Sequence, residues 1–233
     1  MPSSILYQTF HHRRKNILTW VQLSVSIRPT GWYNAMRKTQ EHPTSKETFL
    51  NVANDLMLTQ GYEATALDEI CEKAGLTKGS FFHYFKSKED LAKALLTRKC
   101  SSYQKTKEEL YGPDPLKRVY GQINMAIEMS KNPAITKGCL KGMLAQEMSD
   151  THPEIRRICR DYFNNMAESL GLDLRAAKAK YAPKASFDPL SLAKHFVAIL
   201  QGSLILVKTY QDRRLAVENV KHFKKYVESL FQK

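Results

Sequence analysis

The sequence lacks the motifs by which enzymes, metal proteins and disulfide-rich proteins are usually recognised. It contains no P-loop, no G-x-G-x-x-G, no H-E-x-x-H and no nucleophile elbow, so we assign no catalytic residue and expect no enzyme. Its four cysteines are far apart and none has C-x-x-C spacing, so we expect neither a metal site nor a disulfide framework. Reduced thiols fit a cytoplasmic protein, and no cofactor is expected.

Long apolar runs and, at the N-terminus, acidic residues are also missing. No stretch reaches the roughly 18 uninterrupted apolar residues that a membrane-spanning helix needs, so we expect no membrane partner. Residues 1–40 contain no Asp or Glu, and "HHRRKNILTWVQLSVSI" superficially resembles a secretory signal, although polar residues dilute its apolar part. A transit peptide and a basic arm that grips DNA are alternatives. We favour an N-terminal extension over residues 1–43, poorly ordered over 1–35.

The net charge of +13 is unevenly distributed along the chain. Residues 36–92 carry seven Lys or Arg against nine Asp or Glu, whereas residues 93–233 carry 25 against 14. A large positive charge indicates a polyanionic partner such as nucleic acid. The region that carries the motif described below is nevertheless slightly acidic, so any DNA-binding prediction must rest on where its cations are placed.

From residue 44 onwards, apolar residues recur at helical spacing and no alternating strand pattern of useful length follows Met36, which predicts an all-α fold of about nine helices. "TSKE" at 44–47 is typical of a capping box, and Gly61 suits a C-cap. We predict no helix or strand for the Ala/Lys-rich stretch 173–187. The predicted helices span residues 44–60, 65–74, 77–85, 88–110, 115–130, 139–149, 154–170, 188–211 and 214–231.

Residues 65–85 have the composition of a helix-turn-helix, in which two helices cross tightly around a turn. Cys71 is small enough for the crossing, Gly75 takes the turn, and Phe81 and Phe85 anchor the second helix from inside. A short helix cannot bury its whole circumference in a three-helix unit, so other rings must face outward. The alternative is that all the rings are core and the lysines a solvated face. The residues that we expect to face outward and contact DNA bases or phosphates are Thr65, Thr77, Lys78, Gly79, Phe82, His83, Tyr84 and Lys88.

The stretch 44–91 resembles the DNA-binding domain of the TetR/AcrR family of bacterial transcriptional regulators. The resemblance is carried by "GYEATALDEI", "AGLTKGSFFHYF" and "SKEDL". It implies an all-helical homodimer that binds a near-palindromic double-stranded operator. It also implies a three-helix DNA-binding domain over 44–91 and a helical effector-binding and dimerisation domain over 92–233, and it places DNA contacts on the same eight residues. Phe82 stands where the family usually has Tyr, so it lacks a hydroxyl for phosphate.

Part of the C-terminal half is similar to one branch of this family, which includes the repressor of the N-ethylmaleimide reductase system. The similar segments are "KGCLKGMLAQEMSDTHPEIRR" (137–157) and "LQGSLILVK" (200–208). The resemblance implies a cysteine that senses electrophiles or oxidants at Cys139, with Lys208 nearby. A predicted helix start and neighbouring lysines favour a thiolate there. The alternative is a small buried apolar residue, the role that we assign to Cys71.

Gly202 and Ser203 in the middle of an apolar helix predict that a second helix approaches closely, so we expect the last two helices to form the dimer interface. A purely internal core helix is the alternative. The function that we predict is a DNA-binding transcriptional regulator, a repressor released from its operator by a small-molecule or electrophile effector. The slightly acidic 36–92 region favours an alternative, a small-molecule binding or interaction protein on the same scaffold that does not read DNA.

Overall fold

Capping side chains and glycines set the boundaries of the first helices. The N–H of Glu47 donates to Thr44 Oγ1 and the N–H of Thr44 donates to Glu47 Oε2, both at 3.3 Å, so the predicted capping box is present. The first helix ends at Gly61, whose φ is 89°. The second ends at Gly75, which is left-handed with φ 64°, a conformation that glycine adopts without steric cost.

The computed structural model describes residues 44–98 and 107–232, and the chain within those ranges is helical with no strand. The predicted all-α fold is therefore confirmed. The helices are α1 Ser45–Gln60, α2 Leu67–Ala74, α3 Lys78–Tyr84, α4 Lys88–Thr97, α5 Lys107–Tyr111, α6 Pro115–Ser130, a 3₁₀ helix Pro133–Lys137, α7 Leu140–Met148, α8 Pro153–Tyr181, α9 Pro189–Tyr210 and α10 Arg214–Phe231. The predictions for residues 1–43 lie outside the described residues.

Two hydrophobic cores organise these helices. In the N-terminal core the Phe49 ring meets Phe81 and Phe85 edge to face, with ring centroids 5.4 and 6.4 Å apart. Leu144 of α7 and Ile155 of α8 are buried in the same core, so it extends beyond the first four helices. The C-terminal core is formed by α6, α8, α9 and α10. Helix α8 contributes to both cores, with Ile155 and Cys159 in the first and Leu170 and Leu174 in the second.

The predicted single helix over 88–110 is wrong. Helix α4 ends at Thr97, because Arg98 leaves the helical region with ψ 118°. The Arg98 guanidinium instead donates to Asn51 Oδ1 of α1 at 2.8 Å. The next described residues, Lys107–Tyr111, form the short helix α5. Within the described residues this division gives ten α-helices where about nine were expected.

The predicted end of the seventh helix at residue 170 is also wrong, because α8 continues through Gly171 to Tyr181, over 29 residues. A Cβ at Gly171 would lie 3.5 Å from the Leu190 Cα and 3.6 Å from the Ala193 Cβ. Glycine at this position therefore reflects the close approach of α9 rather than a helix end.

Helix α9 is long and apolar enough to cross a membrane by length and composition, with a mean hydropathy of 1.7. It packs against α8 and α10, and it buries Ala193, Phe196 and Val207. One face of α9 therefore lies in the C-terminal core, whereas Ile205 and Leu206 on another face are exposed to solvent.

Candidate nucleic-acid interface

Helix α3 is seated by the two phenylalanines predicted to anchor it. Phe81 is fully buried and Phe85 nearly so, with their ring centroids 5.4 Å apart. Ile70 and Cys71 of α2 are buried on the facing side, and Gly75 makes the turn between the helices. The predicted helix-turn-helix geometry is therefore present.

The opposite face of α3 presents aromatic rings to solvent. Phe82 is 54% exposed and Tyr84 is 36% exposed, and His83 lies between them on the surface. The Phe82 ring contacts Phe81 edge to face, and the His83 ring lies 4.8 Å from Tyr84. Adjacent exposed rings on a short helix are unusual for a solvated surface and typical of a binding surface.

The amino end of α3 is capped and open to close approach. Thr77 caps the helix by accepting a hydrogen bond from the Ser80 N–H at 3.1 Å. A Cβ at Gly79 would lie 3.7 Å from Thr77 Oγ1, which is an ordinary contact. Packing therefore does not require glycine at this position, although glycine costs a helix about 1 kcal/mol relative to alanine. A partner that needs close access to the backbone would explain the glycine at position 79.

Lys78 forms an ion pair that the sequence reasoning missed. Its ammonium lies 2.6 Å from the Asp68 carboxylate of α2, and both side chains are exposed. The hydrogen bond that the Lys78 ammonium donates to Asp68, together with the negative charge of that carboxylate, raises the pKa of Lys78. Because exposed ion pairs contribute little to stability, a phosphate could replace Asp68 as the partner of Lys78.

Two of the predicted contact residues do not face outward. Thr65 is fully buried, and its hydroxyl donates to the Gly61 carbonyl at 2.6 Å, so the prediction of an outward side chain is wrong for Thr65. Lys88 is half-buried, and its ammonium donates to the carbonyls of Tyr62 and Thr65 at 2.9 and 3.0 Å. Both side chains support the turn between α1 and α2, an arrangement that helical periodicity does not reveal.

The Tyr62 ring, in this turn, lies under the Lys88 ammonium, whose nitrogen is 4.2 Å from the ring centroid. Burial, together with the nearby carboxylates of Glu63, Glu89 and Glu147, raises the pKa of Tyr62 to about 12. The phenol therefore stays protonated at physiological pH, and the ring acts as a neutral platform for Lys88.

The proposed sensor residues lie where the two cores meet. Cys139 is half-buried immediately before α7. The Lys208 side chain of α9 runs beside the preceding glycine, since a Cβ at Gly138 would lie 3.4 Å from the Lys208 Cδ. Its ammonium donates to the Leu58 carbonyl of α1 at 2.8 Å and lies 3.4 Å from Met143 Sδ. Lys208 thus links the Cys139 segment to the C-terminal turn of α1.

The two other described cysteines are buried. Cys71 is 6% exposed, and burial raises the pKa of its thiol, in agreement with the predicted packing role. Burial also raises the pKa of the Cys159 thiol, an effect that Lys141 opposes and Cys139 reinforces. Both thiols therefore favour the protonated, less reactive form. Within residues 44–98 and 107–232, no group of three or more His, Cys, Asp or Glu is arranged to hold a metal ion.

The C-terminal half contains one buried carboxylate with a full set of partners. Asp173 of α8 is 5% exposed and accepts hydrogen bonds from Lys107 at 2.6 Å and from Arg118 and Gln122 at 2.8 Å. Lys107 also donates to the Ser169 carbonyl at 2.7 Å. This cluster ties α5, α6 and α8 together.

Helices α9 and α10 present an apolar groove to solvent. A Cβ at Gly202 would meet no heavy atom of the described chain within 4 Å, whereas Ser203 is buried and accepts a hydrogen bond from Asn219 at 3.1 Å. The residues that line the groove are His195, Ile199, Gly202, Ser203, Ile205, Leu206, Asn219, His222, Phe223 and Tyr226. An exposed apolar groove of this kind is typical of an interaction surface.

The fold and the α3 surface together define a helical protein with an N-terminal helix-turn-helix, and comparison with known proteins agrees. Residues 49–95 match the family described as bacterial regulatory proteins, tetR family. Residues 115–223 match the tetracyclin repressor-like C-terminal domain.

Several relatives cover most of the chain. The HTH-type transcriptional regulator YxaF of Bacillus subtilis is 31% identical over 174 residues, which are 72% of this chain and 87% of YxaF. The HTH-type transcriptional repressor NemR of Escherichia coli is 25% identical over 193 residues, 80% of this chain and 96% of NemR. The transcriptional regulator AcuR of Cereibacter sphaeroides is 26% identical over 165 residues, 70% and 75% of the two chains.

Solved structures share the fold. The regulatory protein TetR from Rhodobacter sphaeroides superposes with a TM-score of 0.65 at 24% identity, covering 78% of this chain and 97% of that one. The reduced form of Escherichia coli NemR superposes with a TM-score of 0.63 at 24% identity, covering 78% and 96%. The chain therefore belongs to the TetR family of bacterial transcriptional regulators. It is a DNA-binding regulator and not an enzyme; regulators of this family bind operator DNA and small-molecule effectors and act as dimers.

Proposed function

We propose that this protein is a cytoplasmic homodimeric repressor that binds a near-palindromic operator and is released by a small-molecule or electrophile effector. The observation that carries the proposal is the outward face of α3. There Phe82, His83 and Tyr84 are exposed beside Gly79, whose lack of a side chain the fold does not require. Rings of this kind can meet thymine methyls, base edges or phosphates in a major groove.

In this proposal the direct DNA contacts are made by residues 77–84 of the helix-turn-helix. Thr77 and Lys78 approach the phosphates, Gly79 allows the backbone to come close, and the three rings face the bases. Lys88 assists from the start of α4, since an ammonium that already holds two carbonyls has one further N–H to offer a phosphate.

A dimer is supported by the groove between α9 and α10. Exposed Ile205, Leu206 and Tyr226 line it, and Gly202 leaves room for a second helix. Two copies joined through these helices would present two α3 helices to successive major grooves, which explains why the operator should be nearly palindromic.

Release by an effector is supported by the position of Cys139 and Lys208. NemR, which is named as a repressor and whose solved structure is a reduced form, covers most of this chain. Cys139 is half-buried and follows Gly138, which lies beside the Lys208 side chain whose ammonium caps α1. Modification of the thiol by an electrophile such as a quinone would displace Lys208 and so disturb α1, which shifts the population toward a non-binding spacing.

The proposal is tested by selecting duplexes from a random-sequence library with the wild-type protein and footprinting the enriched sequence. We expect the enriched sequence to be an inverted repeat whose two half-sites are both protected. We also expect an even number of protein chains per duplex and an affinity that falls as the salt concentration rises. A selection without any enriched sequence would contradict the proposal and favour the alternative, a small-molecule binding protein on the same scaffold.

The effector part needs a separate experiment with the selected duplex and a panel of quinones, aldehydes, hypochlorous acid and apolar ligands. We expect a thiol-reactive compound to release the wild-type protein and to fail with Cys139→Ser. Cys159→Ala is the matched control, because this buried thiol should not contribute. If Cys139→Ser is released as readily as wild type, the thiol sensor is ruled out, and a non-covalent ligand remains.

A further inference from the structure

One carboxylate of the effector half, the name we use for residues 107–232, holds the turn between α1 and α2. Glu147 of α7 accepts hydrogen bonds from the backbone N–H groups of Tyr62 and Glu63, both at 2.8 Å, one on each carboxylate oxygen. The partners are 85 and 84 residues apart along the chain. Hydrogen bonds to an ionised carboxylate are about twice as strong as neutral ones. This exposed carboxylate therefore connects the effector half to the helix-turn-helix through two charge-assisted hydrogen bonds.

The same peptide group is held from its other side by Lys88. The Tyr62 carbonyl accepts a hydrogen bond from the Lys88 ammonium at 2.9 Å, and the N–H of Glu63 in that same peptide unit donates to Glu147. A peptide unit is planar and rigid, so it transmits a displacement from one end to the other. A movement of the Glu147 carboxylate would thus be transmitted to the Lys88 ammonium through the planar Tyr62–Glu63 peptide unit.

Gly61 shows that the contact requires a specific local backbone. Its φ is 89°, and a Cβ at this position would lie 3.2 and 3.3 Å from the two Glu147 oxygens. These distances are tighter than an ordinary van der Waals contact, so a side chain here would push on the carboxylate. Glycine serves both the conformation of the turn and the approach of Glu147.

We propose that Glu147 is a positioning residue for DNA binding. Through the Tyr62–Glu63 peptide group it sets the position of Lys88 and of the start of α2, so that α7 controls how the helix-turn-helix fits DNA. The proposal rests on the DNA-binding function proposed above, because it needs an operator to act on.

The sign of the effect separates positioning from simple electrostatics. If only charge mattered, the loss of a carboxylate near a polyanion would strengthen DNA binding. If Glu147 positions the turn, its removal weakens binding despite the more favourable charge. Glu154→Gln is the matched control, since Glu154 is exposed on α8, pairs with Arg157 and loses the same unit of charge.

The experiment measures the affinity of Glu147→Gln, Glu147→Asp and Glu154→Gln for the duplex selected by the wild-type protein, at one salt concentration. We expect Glu147→Gln to bind about tenfold more weakly than wild type, because an amide accepts at one oxygen only and its NH₂ faces an N–H. Glu154→Gln should bind as tightly as wild type or slightly more tightly. Glu147→Asp, which keeps the charge but is shorter, should fall between them.

Two further readouts exclude a merely structural role. Amide hydrogen exchange should accelerate at Glu63 in Glu147→Gln while the C-terminal core stays protected. Lys88→Met should weaken binding by a smaller factor in the Glu147→Gln background than in wild type, because both act on one peptide group. Strictly multiplicative effects, or a Glu147→Gln affinity equal to that of Glu154→Gln, would overturn the proposal. A failed duplex selection would count against the DNA-binding function itself and not against Glu147. If Glu147→Gln does not fold, the affinity of Glu147→Asp is compared with that of Glu154→Gln instead.

Discussion

The DNA-binding half and the effector half of this protein differ in the composition of their cores and in their net charge. The first, residues 44–98, is built around a cluster of aromatic rings and lies in a slightly acidic part of the chain, yet it carries the surface that we propose to bind DNA. The second, residues 107–232, lies in the strongly basic part and ties several cations to carboxylates, such as Arg118 to Asp173. Positive charge is therefore most abundant away from the helix-turn-helix. The placement of a few side chains, and not the total charge, locates a DNA surface.

The sharpest test of this comparison in the DNA-binding half uses two neighbouring rings. Phe81→Ala should destabilise the protein by about 4 kcal/mol, because it empties the centre of the aromatic core. Phe82→Ala, which removes an exposed ring, should change stability by less than about 1 kcal/mol but weaken DNA binding. Urea denaturation and a DNA-shift assay measure the two effects. Equal destabilisation by both variants would contradict the assignment of an inner and an outer face to α3.

The counterpart in the effector half is its buried carboxylate. Asp173→Ala should cost about 3 kcal/mol, because it leaves Lys107 and Arg118 without their partner in the interior. Asp161→Ala removes an exposed carboxylate on the same helix and should cost less than about 1 kcal/mol. Thermal unfolding followed by circular dichroism compares the two. If Asp173→Ala were as stable as Asp161→Ala, the cluster would not hold α5, α6 and α8 together.

How well the sequence predicts the structure also differs between the halves. In the first half, side-chain signals lie within a few residues of what they determine: Thr44 and Thr77 cap helices, and Gly61 and Gly75 end them. In the second half, the predicted helix over 154–170 is too short, because Gly171 lies inside α8 and its lack of a side chain is explained by α9, which packs on it. That contact involves residues distant in sequence, so local patterns do not contain it.

The candidate site shows the same limit. Phe82, His83 and Tyr84 were identified by elimination, since Phe81 and Phe85 had to be inside. The inward role of Lys88 and the whole role of Glu147 depend on a turn whose partners come from other helices. Only Gly61 gave a local hint, since an unusual φ there lets the carboxylate approach.

Two glycines whose lack of a side chain is not required by packing within the chain allow the DNA surface and the dimer surface to be tested separately. Gly79→Ala should stabilise α3 by up to about 1 kcal/mol and weaken operator binding about tenfold, because the new methyl faces DNA. Gly202→Ala should stabilise α9 similarly but shift the monomer–dimer equilibrium toward monomer. Anisotropy titration and analytical ultracentrifugation measure the two outcomes. The comparison would fail if Gly79→Ala altered the dimer and left DNA binding intact.

The last prediction concerns the pH dependence of stability, and its effect is absent under neutral conditions. Because the pKa of Tyr62 is raised from 10.0 to about 12, the unfolded chain loses this proton at lower pH than the folded chain. Folding stability should therefore fall as pH rises from about 10 to about 12, and Tyr62→Phe should reduce that loss. Burial also raises the pKa of Tyr120 in the effector half, so Tyr120→Phe is the matching variant. Unfolding midpoints at pH 9 and pH 11 would show the difference, and an unchanged pH dependence in Tyr62→Phe would contradict it.

The central claim is that the outer face of α3 in the DNA-binding half reads the operator. It is tested most directly by the affinity of a Lys78→Ala, Tyr84→Ala double variant for the selected duplex, compared with a scrambled duplex at the same salt. Our account predicts that the variant keeps the melting temperature of the wild type but binds both duplexes equally weakly. A double variant that still prefers the selected duplex as strongly as the wild type does would contradict the account.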